Sequence, residues 1–380
     1  MVALVCGANG ENGPTFGRRV GLLAGAARAA VRDLRASFGA RPADERALRM
    51  RRSPQYRRGG FRNPVRTSIA APLEMLRRHS PRELFFAGAA RRPAGSVPVL
   101  RPDPAPPAGP EVLGVTWYGH ASALVEIEGA RLLVDPVWSD RCSPSRRVGP
   151  RRLHPIPLAL AQVPPVDAVL ISHDHYDHLD LATVRGLLRT QVAPFVVPLG
   201  VGAHLERWGV PAERIIELDW GEQTCAGGVR LTAAAARHFS GRTLACDHTL
   251  WSSWVLTGAR RSLFYTGDSG YFDEYARIGV RYGPFDATLM QVGEYDPGWP
   301  DVHMTPEEAV AAHLDLRGGL LIPVHWGTFV LALHPWAEPV DRLWREAKAR
   351  GVPLAVPRPG ERVDVRDPQA VSAWWQALAA

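Results

Sequence analysis

Asp167–Ser172 (DAVLIS) runs straight into His173-Asp174-His175-Tyr176-Asp177-His178, and this junction decides how the chain is read. A continuous apolar run suits a strand covered on both faces. A loop leaving the C-terminal end of such a strand turns alternate side chains inward, and His and Asp are ligand types for Zn²⁺ and similar ions. Chance is a poor explanation, because at this composition an H-x-H-x-D-H window arises on the order of once in a thousand such chains. Three imidazoles and a carboxylate so close together exceed what one open tetrahedral site draws from one loop. Two adjacent metals fed by the same loop are therefore expected.

Working outward, further ligands should come from later strand ends. His238 follows the apolar run Val229–Ala235, Asp268 sits in the small-residue turn YTGDSG after Ser262–Tyr265, and His325 follows Leu320–Val324 in IPVHWGT, at the end of the strand predicted at Gly319–Pro323. The ends of strands are where open α/β sheets place their sites. Strands are also predicted at Val112–Tyr118, Ala123–Ile127, Arg131–Val134, Leu250–Leu256 and Ala287–Gln291, and helices at Asp180–Arg189, Gly202–Trp208, Thr305–Leu314 and Ala337–Arg350. Thr305 and Glu308 form a capping box with Pro306 at the first helical position. Strands followed by helices, repeated, indicate a layered α/β body of about 250 residues.

The chain has 380 residues, 46% hydrophobic and 22% charged, with a net charge of +7. That charge is an average over two unlike parts. Residues 1–110 carry 20 Arg against 7 acidic residues, net +13, whereas residues 111–380 carry 25 basic against 31 acidic residues, net −6. The expected division is a basic, partly disordered N-terminal extension over 1–110 and a layered α/β body over 111–380. Residues 1–60, with the charge run Arg49–Arg58, read as mostly disordered or loosely attached. A short helix over Leu22–Phe38, another over Pro72–Arg78 and an extended Pro-rich spacer over 101–110 complete this part. Four cysteines without C-x-x-C spacing suggest buried thiols rather than a disulfide framework. No stretch approaches the roughly 20 apolar residues of a spanning helix. The expected location is cytoplasmic, or peripheral on a membrane surface.

On these motifs the chain resembles the metallo-β-lactamase fold hydrolases over roughly residues 111–357. It is similar in particular to their N-acylphosphatidylethanolamine phospholipase D-like branch, through FRNP (Phe61–Pro64), WYGHAS (Trp117–Ser122), DPVWSDRCSP (Asp135–Pro144), HDHYDHLD (His173–Asp180), HMTPEEAV (His303–Val310) and HWGTF (His325–Phe329). The resemblance implies a four-layer αββα sandwich with metals at one edge between the sheets. It implies two Zn²⁺, with Mn²⁺ or Fe²⁺ as alternatives. His173, His175 and His238 would hold one ion, Asp177, His178 and His325 the second, and Asp268 would bridge them. His303 is the candidate for contacting phosphate or protonating the leaving oxygen, with Asp177 and Asp268 completing the catalytic set. His120 and Asp135 are expected to support the ligands.

The implied reaction is phosphodiester hydrolysis of phospholipase D type on N-acylphosphatidylethanolamine-like lipids, releasing N-acylethanolamine and phosphatidate. Arg141, Arg146, Arg147, Arg151 and Arg152 are candidates for attracting an anionic headgroup. Trp299, Trp326, Phe329 and Leu331 are candidates for an apolar mouth. Expected partners are a phospholipid or other phosphodiester, a membrane surface met through the basic arm and, as an open option, a second copy in a homodimer. Competing readings are a lactonase or other ester or amide hydrolase on the same metals, a nuclease and a non-catalytic binding protein. The acidic body and the lack of an RNA-recognition motif argue against nucleic acid.

Overall fold

A computed structural model describes residues 31–68, 88, 90–103, 109–243 and 245–379. Two mixed sheets form its centre. The first contains β3 (Leu113–Gly119), β4 (Ser122–Ile127), β5 (Ala130–Val134), β6 (Ala168–Leu170), β7 (Phe195–Pro198), β8 (Ile215–Leu218) and the late strand β15 (Arg362–Asp364), in the order β15-β3-β4-β5-β6-β7-β8. The second contains β9 (Gln223–Ala226), β10 (Val229–Ala234), β11 (Ser253–Thr257), β12 (Ser262–Tyr265), β13 (Phe285–Gln291) and β14 (Gly318–Val324), in the order β14-β13-β12-β11-β10-β9. A two-stranded hairpin of β1 (Tyr56–Arg57) and β2 (Gly60–Phe61) precedes them. Each large sheet begins antiparallel and becomes parallel, at β5–β6 in the first and β12–β13 in the second. The parallel strands β5 and β6, and likewise β12 and β14, therefore end at a common edge.

Strand alternation separates the layers. In β5, Leu132 and Val134 join the core shared with the second sheet, while Leu133 joins a different cluster with Val184, Leu187 and Leu205. The helices at 31–37 (α1), Asp44–Arg52 (α2), Leu181–Thr190 (α3), Gly202–Trp208 (α4), Glu274–Tyr282 (α5), Pro306–Asp315 (α6) and Glu338–Ala349 (α7) enclose the sheets. α3 and α4 cover the outer face of the first sheet, and α5, α6 and α7 pack against the second through Ile278, Val310 and Leu343. The result is the expected αββα sandwich.

Most predicted elements appear within a residue or two of their expected bounds. Asp180 caps α3, accepting from Ala182 N and Thr183 N, and the Thr305–Glu308 capping box opens α6. The expected strand over Leu250–Leu256 starts later, at Ser253. Leu250 N and Ser252 N instead donate to Leu199 O and Ser172 O, on loops of the first sheet. β7, β8 and β9 are only four residues long, too short for a periodic signal. α5 carries a mid-helix glycine, Gly279, where a Cβ would lie 2.1 Å from Asp315 O, so close packing against α6 dictates a poor helix former.

The reading of residues 1–60 as mostly disordered fails from residue 31 onward. Arg46 pairs with Glu206 and Glu217 at 2.8 and 2.7 Å, and Arg49 with Glu222 at 2.6 Å. Phe61 is fully buried among Met50, Leu199, Ala236, Leu250 and Trp251, edge-on to Tyr56. Within the charge run itself only Arg49 is ion-paired among the described residues, and Arg51, Arg52, Arg57 and Arg58 stay exposed. The segment is held by Arg46, Arg49, Met50 and Phe61, whose partners in the body lie more than 130 residues away in sequence. The expected helix over Pro72–Arg78 falls outside the described residues, as do residues 1–30, which include the start of the helix expected over Leu22–Phe38. Phe61→Ala should destabilise the protein by about 3–5 kcal/mol, read as a lower urea midpoint; an unchanged midpoint would mean that the segment is not docked in solution.

Candidate metal centre

β6 ends at Leu170, and the loop after it carries the H-x-H-x-D-H motif. Alternation works as the sequence suggested. His173 and His175 turn inward, while Asp174 turns away to accept from Gly241 N (2.7 Å) and to pair with His204 Nε2 (3.1 Å). β10, β12 and β14 then deliver His238, Asp268 and His325 to the same place. The Asp268 turn needs Gly267, whose φ is +57° and where a Cβ would approach Ser172 Cβ to 2.7 Å.

The seven candidate ligands converge. His173 Nε2 lies 2.8 Å from His175 Nδ1, which lies 3.3 Å from His238 Nε2. Asp268 Oδ2 is 3.1 Å from both His178 Nε2 and His325 Nε2, and 3.8 Å from both His173 Nε2 and His238 Nε2. Asp177 Oδ2 lies 3.5 and 3.3 Å from His178 Nε2 and His325 Nε2. Asp268 thus stands between a three-histidine group and an Asp177–His178–His325 group. His303 Nε2 lies 3.6 Å from the same Asp268 oxygen, on the rim of the cluster.

The surrounding hydrogen bonds fix which nitrogen faces inward. Asp135, at the end of β5, accepts from Ser172 N (2.7 Å), Ser172 Oγ (2.5 Å), His178 Nδ1 (2.7 Å) and the Tyr265 hydroxyl. Ser172 Oγ in turn accepts from His173 Nδ1 at 2.9 Å. His238 Nδ1 donates to Val302 O at 3.0 Å. The Nε2 lone pairs of His173, His178 and His238 are therefore left for the centre. His178 Nε2 and Asp268 Oδ1 are buried without a hydrogen-bond partner. Lone pairs and carboxylates turned toward one another need a cation between them, so this donor set fits divalent metal ions.

Electrostatics divides the imidazoles. Burial, reinforced by neighbouring imidazoles, holds His173 well below the ordinary histidine value; burial also holds His238 there, against the pull of Asp268. Burial would lower His178 and His325 too, yet Asp268 and Asp177 outweigh it. His178 is pushed well above its ordinary value and His325 up to about 9. Burial opposes ionisation of Asp177 and Asp268, but the facing imidazoles hold both carboxyls well below the usual range. Burial lowers His303 to about 4, against the pull of Asp268.

His120 is more closely involved than a remote support. Its Nε2 lies 2.9 Å from Asp177 Oδ2, its carbonyl accepts from His325 N (2.9 Å) and Trp117 Nε1 (2.7 Å), and its ring lies 3.9 Å from that of His325. His120, Asp135 and His325 all have positive φ, 52°, 37° and 62°. Such backbone costs on the order of 1–3 kcal/mol per residue and gathers at functional sites.

Two groups of specificity candidates resolve differently from expectation. Trp326 and Phe329 are core residues rather than a mouth, Trp326 stacked on Trp117 at 5.6 Å and Phe329 edge-on to His120. Trp299 and Leu331 are half-buried. Arg152 is also buried, donating to Val137 O and lying over the Phe329 ring, whereas Arg146, Arg147 and Arg151 are exposed. Sequence reasoning missed Ser172, Tyr265 and the role of Asn63. Asn63 Nδ2 donates to His238 O (2.7 Å), and its Oδ1 accepts from His238 N (3.0 Å). Its signal was present in FRNP, a motif without a visible chemical role.

This sandwich, with its edge cluster of seven closely placed histidines and two carboxylates, defines a metal-dependent hydrolase. A family model described as "Beta-lactamase superfamily domain" matches residues 130–326. An uncharacterized protein of Mycobacterium tuberculosis is 50% identical over 90% of this chain and 92% of its own length. N-acyl-phosphatidylethanolamine-hydrolyzing phospholipase D 1 of Caenorhabditis elegans is 38% identical over 63% of this chain and 70% of its own. Igni18, a metallo hydrolase from Ignicoccus hospitalis, shares the fold with a TM-score of 0.53 at 23% identity, covering 66% of this chain and 97% of that one. The chain belongs to the metallo-β-lactamase fold hydrolases, in their N-acylphosphatidylethanolamine phospholipase D-like branch.

Because the facing carboxylates Asp268 and Asp177 push His178 and His325 above the ordinary histidine value in the metal-free protein, zinc uptake should displace protons from these rings. Affinity should rise with pH until His325 is already deprotonated near 9, and fall as pH drops. Calorimetry in buffers of different ionisation enthalpy reads this directly; proton-neutral uptake would contradict the charge assignment.

Proposed function

We propose that the protein is a binuclear zinc hydrolase of phosphodiesters, cleaving N-acylphosphatidylethanolamine-like phospholipids to N-acylethanolamine and phosphatidate. The observation that carries the two-metal reading is Asp268, one carboxylate oxygen within 3.8 Å of imidazoles from both ligand groups. His173, His175 and His238 would hold one ion and Asp177, His178 and His325 the other, with Asp268 available to both. When bound, the ions supply Lewis acidity, lowering the pKa of water and offsetting phosphate charge.

The chain's own groups arrange the rest. Asp177 keeps a carboxylate that is 13% exposed at the opening of the site, where it can accept a hydrogen bond from the attacking water. His120 holds that carboxylate from behind. Water adds to phosphorus, the bond to the ethanolamine oxygen breaks, and the proton released ends on that oxygen. His303, 12% exposed, faces the substrate side. Its burial favours the neutral ring, so it contacts a phosphoryl oxygen most readily after taking up a proton, which an approaching anion promotes. The long Nδ1 contact to Gly293 O, 3.5 Å, leaves the ring free to adjust.

The protein meets lipid peripherally through α1. Val31, Leu34 and Phe38 share its exposed side, next to Arg32 and Arg35. An apolar stripe flanked by cations suits an anionic interface. Among the described residues no helix is long and apolar enough to cross a membrane.

Zinc-loaded wild type should hydrolyse N-acylphosphatidylethanolamine and a chromogenic phosphodiester. Asp268→Asn should lower zinc content and reduce kcat/KM by at least about 10³-fold, and full activity in this variant would refute the shared-carboxylate scheme. His303→Ala should cost about 10²–10³-fold with zinc content unchanged. Turnover of a lactone without any phosphodiester cleavage would replace this reading with the ester-hydrolase one.

A further inference from the structure

A cavity of 680 Å³ lies beside the metal loop and is lined by none of the candidate ligands. Its walls come from α1, the segment after β5, the start of α3 and the loop that follows His238. Tyr176, which sits between two ligands in sequence, contributes its ring. Five guanidinium groups, from Arg141, Arg146, Arg185, Arg189 and Arg242, face three carboxylates there.

Two of those carboxylates are already committed. Asp33 pairs with Arg185 at 2.9 Å. Asp180 accepts from Ser139 Oγ (2.8 Å), Thr183 N (3.1 Å), Ala182 N (3.3 Å) and Thr183 Oγ1 in capping α3. Asp140 alone is uncommitted. Among the described residues, Arg141, Arg146, Arg189 and Arg242 have no carboxylate within ion-pair distance.

Arg242 is the anchor of this wall. It is buried, lies over the Tyr176 ring at 4.0 Å, and donates to Ser37 O (2.7 Å), Asp174 O (2.6 Å) and Leu179 O (2.8 Å). Its Nη2 has no hydrogen-bond partner. Burying a cation against carbonyls alone is costly unless an anion completes it. The cavity also has an apolar side, from Trp138, Leu160 and Pro144.

We propose that this cavity is a binding site for a phosphoryl dianion, inorganic phosphate or a phosphate monoester, separate from the metal centre. A dianion with three acceptor oxygens matches several guanidinium forks at once, which no single carboxylate in the wall does. The anion can be free phosphate or the headgroup of a lipid, since α1, which lines the cavity with Asp33 and Ser37, also carries exposed Val31 and Leu34. Its position is linked to the loop, because Arg242 clasps the carbonyls of Asp174 and Leu179, which bracket the ligands His175–His178. The inference does not depend on which ester the metal centre hydrolyses.

Calorimetric titration of the zinc-loaded protein with inorganic phosphate and with a short-chain, water-soluble phosphatidate tests it. Arg141→Gln/Arg189→Gln should weaken binding of at least one probe by about tenfold or more while zinc content and thermal midpoint stay at wild-type values. Arg146→Glu, on the exposed rim, should weaken it in the same direction. Sensitivity with both probes identifies the phosphate group itself as the ligand, and sensitivity with phosphatidate alone identifies a lipid source. Equal affinity in wild type and both variants, or no binding of either probe at millimolar concentration, would overturn the proposal.

Discussion

The carboxylate of Asp135 receives hydrogen bonds from the backbone and hydroxyl of Ser172, from His178 Nδ1 and from the Tyr265 hydroxyl, all in the buried interior. It stands at the end of β5, Ser172 opens the metal loop after β6, and Tyr265 ends β12 in the other sheet. One side chain therefore registers the ends of three strands against one another and sets the tautomer of a ligand. A buried carboxylate without such partners would be severely penalised, so the sheets can close only where these donors meet it. The inward-facing Nε2 atoms of His178 and, through Ser172, of His173 depend on that closure.

The same economy appears in the N-terminal segment. Asn63 clamps both backbone groups of His238, and Phe61 plugs the adjoining apolar cluster beside Trp251. Arg46 and Arg49 attach α2 to an acidic face of the body. The net +13 of residues 1–110 is thus partly spent inside the molecule, and from residue 31 onward the described part works as a brace for the site. Arg32 and Arg35 on α1, with Arg51, Arg52, Arg57 and Arg58 further on, stay exposed, and there the positive charge of this segment can act on anions.

The fold was legible because its signals are local. DAVLIS, the capping box of α6 and the short turns after β4 and β12 each constrain a few consecutive residues, and strand ends place ligands in chain order. The candidate ligand cluster was legible for the same reason: His173, His238, Asp268 and His325 each follow shortly after an apolar run, and His175, Asp177 and His178 continue the first of these loops. Trp326 and Phe329 were not, since an aromatic beside a ligand has the same appearance in sequence whether it faces solvent or packs under the loop. Ser172, Tyr265 and Asn63 were hidden because a hydroxyl or an amide acquires meaning only from its partner.

The sequence by itself determined the class of site, through residue types that only metal chemistry gathers so densely, and the order in which strands deliver them. The tertiary structure alone decided which imidazole nitrogens face inward, that Asp268 lies between two groups of candidate ligands, and that the segment carrying the charge run is docked through Arg46, Arg49 and Phe61. The physical reason is range. Backbone propensity and burial periodicity act within a few residues, whereas hydrogen-bond partnership and ion pairing join groups separated by tens to hundreds of residues, and these exist only once the sheets have packed.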